Sequence, residues 1–106
     1  MIEVKFRIFK NGQMKFSCKG HAGSGKHGHD LVCAGASALA YGFLENLHQS
    51  KDMIEEFQRT VVKDGVMELS FKPKEEYINS IALLVTAKRN EFKALERGHE
   101  EYIKVW

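Results

Sequence analysis

Between Gly20 and Ser37 the chain gathers three histidines (His21, His27, His29), one aspartate (Asp30) and one cysteine (Cys33), with glycines at 20, 23, 25 and 28. An imidazole beside a thiol is the standard arrangement for nucleophilic catalysis, because the base raises the fraction of reactive thiolate. Asp30 sits where a helix N-cap is expected, its carboxylate able to accept the Cys33 amide, which makes Cys33 the third residue of the helix. There the positive end of the helix dipole favours thiolate over thiol. His21 closes the preceding strand, and the glycine-rich loop returns the chain to the same end of the fold. Asp30 has two open roles: it caps the helix, or it reaches His21 and orients the ring. As a negative charge it also opposes thiolate formation. A cysteine at a helix start is otherwise a small packing residue, so a structural reading stands beside the catalytic one. Cys18, in strand alternation with Phe16, reads as core.

Two other chemistries fit the same stretch less well. Gly20 to Lys26 follows the Gly-x4-Gly-Lys part of a phosphate-binding loop, but His27 stands where a hydroxyl must ligate magnesium. His27-Gly-His29 offers two metal-ligand types, yet none of the paired spacings of structural zinc sites is present. No metal and no cofactor is therefore expected.

The elements that must hold these residues are legible on either side. Ile2, Val4, Phe6 and Ile8 alternate with charged residues as in a half-buried strand, and Asn11-Gly12 signals a hairpin. The second strand carries Met14, Phe16 and Cys18 on one face. From Leu31 to about His48 the spacing predicts a helix whose first half, Ala34 to Ala38, is small on every side and is expected to be the central buried element. Gly35 and Gly42 read as positions of close approach. Residues Gln49 to Glu56 read as a loop. A second hairpin runs from Phe57 to Lys63 and from Val66 to Lys72 around Asp64-Gly65. Pro73 then opens a helix from about Lys74 to Arg97, with Gly98 as its stop. Tyr102 to Trp106 suits a short last strand. The class is α+β: two β-hairpins each followed by a helix (ββαββα with a short C-terminal strand), an antiparallel or mixed sheet covered by two helices.

Composition limits the function classes. With 106 residues the chain suits a single domain, residues 1–106, and 28% charged residues with 43% apolar ones are ordinary for a globular protein. A net charge of +2 is weak for a protein that neutralises many phosphates, so no direct nucleic-acid binding is expected. No apolar run is long enough to cross a membrane. Two cysteines without a secretory leader suggest free thiols and a cytoplasmic location.

The residues Gly20-His21-Ala22-Gly23, then Asp30-Leu31-Val32-Cys33-Ala34, then Ser37-Ala38-Leu39 resemble the Prp family, the bacterial ribosomal-processing cysteine proteases. The likeness covers nearly the whole chain, although Gly35-Ala36 stands where bulkier small residues are usual. It implies a homodimeric cysteine endopeptidase that removes an N-terminal extension from the twenty-seventh large-subunit ribosomal protein. By position, Cys33 would be the nucleophile and His21 the general base. Asp30 and Ser37 would be supporting residues, and Gly20, Gly23, Gly25 and Gly28 a flexible loop that admits the peptide. Amides at Cys33 and Ala34 would hold the oxyanion. The alternative is a non-catalytic ribosome-associated binding module with Cys33 merely packed.

Overall fold

The computed structural model describes residues 1–23, 25 and 30–106. Five strands form one sheet: β1 (Ile2–Ile8), β2 (Met14–Lys19), β3 (Ile54–Lys63), β4 (Val66–Pro73) and β5 (Ile103–Val105), with helices α1 (Leu31–Gln49) and α2 (Ile78–Glu96) between them. The strand order is β3-β4-β2-β1-β5. The two hairpins lie side by side, joined by antiparallel pairing of β2 with β4, and β5 adds a parallel edge next to β1.

Both helices cover one face. Ile2 and Val4 of β1, Met14 and Phe16 of β2, and Met67, Leu69 and Phe71 of β4 are buried against them. The centre is aromatic: Phe16 packs edge-on against Phe43 of α1 at 5.1 Å between ring centres, and Phe6 lies 5.0 Å from Phe16. The helices run in opposite directions, with Leu95 over Gly35 and Lys88 over Gly42. Lys88 is itself buried, and its ammonium reaches Glu91 at 3.2 Å.

Three expectations are corrected. The strand β3 begins at Ile54, three residues before the predicted start, after a 3₁₀ turn over Lys51–Met53. Its edge position leaves Glu55 to Thr60 exposed, and register shifts at Ile54/Glu56 and Phe57/Arg59 erase the period-two pattern. The second helix starts at Ile78 rather than Lys74. Lys74 is still extended and donates its N–H to Met53 O at 2.9 Å, and a 3₁₀ turn over Glu75–Tyr77 intervenes. The small-residue half of α1 is not buried on every side. Val32, Ala36 and Ala40 face the sheet, whereas Leu31, Ala34, Ser37 and Ala38 are exposed.

Candidate active site

The chain leaves β2 through Gly20, whose φ of +104° admits only glycine comfortably. A Cβ there would also strike the Met1 carbonyl oxygen, and the Gly20 N–H donates to Gly65 O at 2.8 Å. Gly20 is thus pinned to the turn between β3 and β4. Among the other loop glycines, Gly23 has φ +73° with open space around it, Gly25 is exposed, and Gly28 lies outside the described residues together with His27 and His29.

The pinned backbone delivers His21 to the same turn, where its ring lies against Gly65. Ala22 follows, buried, and donates its N–H to Cys33 Sγ at 3.1 Å. On the opposite side, Asp30 caps α1 as the sequence predicts: its buried carboxylate accepts the Cys33 N–H at 2.9 Å. The Asp30 carbonyl accepts the Ala34 N–H, also at 2.9 Å. The two amides expected to bind an oxyanion are therefore already engaged by Asp30.

A cavity of about 420 Å³ opens between these elements. His21, Asp30, Cys33 and Ser37 all line it, with Gly20, Gly23 and Gly25 at its loop side. Ser37 is one turn beyond Cys33 on the same face of α1, which is why both reach the cavity. Cys18 contributes to the wall from β2. Burial, with the nearby charge of Cys33 as a second cause, pushes its thiol up to about 11. At neutral pH Cys18 is a protonated packing group, in keeping with its place in the strand alternation.

Sequence reasoning missed the far wall, built by Lys63, Asp64, Gly65, Val66 and Met67 of the second hairpin, and Tyr41 at its edge. Asp64-Gly65 is visible in the sequence only as a turn. Its place beside His21 comes from the register of β2 with β4, where Lys19 pairs with Val66. Among the described residues, no group of three or more histidines, cysteines and carboxylates is placed to hold a metal ion. No helix among them is long and apolar enough to cross a membrane.

This fold is shared with solved structures. The essential ribosomal processing protease Prp from Staphylococcus aureus, in complex with a covalently linked product peptide, superposes with a TM-score of 0.78 at 24% identity, over 99% of this chain and 97% of that one. The same protein in complex with a substrate peptide gives 0.73 at 23% identity, over 100% and 98% of the two chains. In sequence, the Staphylococcus aureus ribosomal processing cysteine protease Prp is 65% identical over 43 residues, a segment that spans 40% of this chain and 41% of that protein. The family model for cysteine protease Prp matches residues 1–104. With a match that runs almost from end to end, the chain belongs to the cysteine protease Prp family.

Proposed function

We propose that the protein is a cysteine endopeptidase that removes the N-terminal extension of a large-subunit ribosomal protein, the twenty-seventh, during ribosome assembly. The observation that carries this reading is the placement of Cys33 Sγ at the start of α1, receiving the Ala22 N–H in a cavity that His21 also lines. Membership of a protease family and the peptides held by the Staphylococcus aureus protein support it.

In this mechanism His21 takes the Cys33 proton and the sulfur attacks the scissile carbonyl carbon. Collapse of the tetrahedral intermediate breaks the C–N bond, and His21 returns the proton to the departing amine. Water, deprotonated by His21, then hydrolyses the thioester and restores the thiol. Since Asp30 engages the Cys33 and Ala34 amides, the Ala22 N–H is the backbone donor that faces the reacting sulfur. Asp30 supports the site by fixing the first turn of α1, and Ser37 faces the bound peptide. In this reading Gly23 and Gly25, which line the cavity, belong to the loop that admits the peptide, whereas Gly20 is held by its bond to Gly65. In this reading the working form is a homodimer in the cytoplasm, as the family resemblance implies.

The test is incubation of Cys33→Ala and His21→Ala proteins with the extended ribosomal protein, followed by mass spectrometry. Each substitution should slow cleavage by about 10³-fold or more. Full-rate cleavage by either variant would end the proposal.

A further inference from the structure

Among the described residues no element covers the face of the sheet turned away from the helices, and the chemistry of that face is uneven. On β1, Lys5 and Arg7 alternate with the buried Val4 and the half-buried Phe6, so they point to the open side. Arg7 is paired across the sheet with Lys15 of β2, and Lys104 of β5 sits one strand beyond β1. Among the described residues none of these four cations has a carboxylate within ion-pair distance. They rest on aromatic rings instead. Lys5 and Lys104 lie 4.9 and 5.5 Å from the ring centre of Trp106, and Arg7 and Lys15 lie 4.9 and 5.6 Å from that of Phe9.

Apart from Glu3, the acids that could neutralise this patch are placed elsewhere or already engaged. Glu68, central on the open face, is held by Lys19 at 2.6 Å and Arg59 at 3.0 Å. Glu3, opposite Lys104 and Lys19, is the one carboxylate on β1. Most other acids belong to the helices and the segments beside them, such as Glu45, Asp52, Glu75, Glu76 and Glu91. The overall charge of +2 thus conceals a local cluster of cations on the open face.

We propose that the patch formed by Lys5, Arg7, Lys15, Lys104, Phe9 and Trp106 docks single-stranded RNA. Cations held over rings, rather than in salt bridges, move onto phosphates without breaking an ion pair, and the rings they leave offer flat platforms for bases. A second copy of the chain is a poor occupant because it would bring like charges face to face. Interleaved aromatics distinguish the patch from a purely electrostatic surface for acidic lipid or protein. Composition alone argues against nucleic-acid binding, and the placement of the charges reverses that expectation. Only the choice of RNA over DNA rests on the function proposed above. The patch itself lies on the sheet face opposite the helices and the cavity.

The experiment uses the full-length protein and a fluorescein-labelled 12-nucleotide single-stranded RNA, followed by anisotropy and by the fluorescence of Trp106, the chain's one tryptophan. Saturable binding is expected with Kd of roughly 10 µM near physiological salt, and four phosphate contacts predict a log–log salt slope of about −3. Trp106 fluorescence should be quenched on binding. The triple substitution Lys5→Ala, Arg7→Ala, Lys15→Ala should weaken binding at least about tenfold and flatten the slope by about 2. The same variant should cleave the ribosomal protein fragment at the wild-type rate, so RNA binding and proteolysis succeed or fail separately. No saturable binding, an undiminished affinity of the triple variant, or absence of Trp106 quenching would overturn the proposal. So would tighter binding to single-stranded DNA of the same length or to vesicles of phosphatidylserine and phosphatidylcholine.

Discussion

A carbon added to Gly65 would stand 2.8 Å from Nε2 of His21, so the turn of the second hairpin makes the space in which the imidazole lies. Gly65 is also left-handed, with φ +71°. Gly65→Ala should cost about 1–2 kcal/mol of stability for the backbone alone, and displacing the ring should slow cleavage by up to about 10²-fold. Gly65→Asn separates the effects, because asparagine tolerates the backbone but still carries the carbon. Its melting temperature should recover by the backbone part of the loss while its rate stays low. In a His21→Ala background the steric part of the Gly65→Ala destabilisation should disappear. A Gly65→Asn enzyme cleaving at the wild-type rate would show that the contact does not position His21. Gly98→Asn is the control, at φ +85° with nothing nearby for the new carbon to meet.

The two thiols should differ in reactivity. Cys18, at about 11, has a thiolate fraction at pH 8 of only about 10⁻³. Alkylation with iodoacetamide at pH 8 should therefore modify Cys33 first, with Cys18 following only as the pH approaches 11. Part of the elevation at Cys18 comes from the charge of Cys33, so Cys33→Ala should bring the Cys18 value down. Titration of the remaining thiol in that variant by absorbance at 240 nm checks the sign. An unchanged or higher value would contradict the coupling.

Asp30→Ala removes the cap that holds the Cys33 amide and should cost about 1 kcal/mol. For a chain of this size that loss is about 4–8 °C in melting temperature. Asp30→Asn keeps an acceptor oxygen and should restore most of the stability. If Asp30 acts on the site through the cap, the cleavage rate of Asp30→Asn should also stay within about threefold of wild type. A stable Asp30→Asn protein with a large loss of rate would mean that the negative charge itself is needed.

Gly42 lies within α1, and a carbon added there would meet Lys88 Nζ at an ordinary 3.6 Å. Gly42→Ala should therefore gain helix propensity without a clash, stabilising the fold by about 0.5–1 kcal/mol. At Gly35 the added carbon comes to 3.3 Å of Leu95 Cδ1, so Gly35→Ala should gain less. Chemical denaturation of the two variants side by side gives the comparison.

What the sequence reveals and what it hides divide along the range of the interactions involved. The Asp30 cap, the start of α1, the Gly20–His21 strand end and the β2 alternation depend on neighbours in the chain, and each is found where local pattern places it. The clustering of His21, Asp30, Cys33 and Ser37 around one cavity follows from those local elements. The wall from Lys63 to Met67 does not, since strand order is not written in any local pattern. The start of β3 was hidden because an exposed, bulged edge strand has no buried face to impose alternation. The roles of Gly20 and Gly65 were hidden for the same reason: each depends on contact with a distant segment.

The bond from the Gly20 N–H to Gly65 O joins segments that leave the ribosome far apart in time. During synthesis the histidine and the cysteine emerge well before the turn against which the histidine rests. Until β4 has paired with β2, the pocket lacks the wall from Lys63 to Met67. In a chain assembled in this order the cleft is complete only once the second hairpin has paired with the first, a contact that spans some fifty residues. The same dependence makes the shape of the pocket a report on folding: a chain that has mispaired its hairpins lacks one of the pocket's walls.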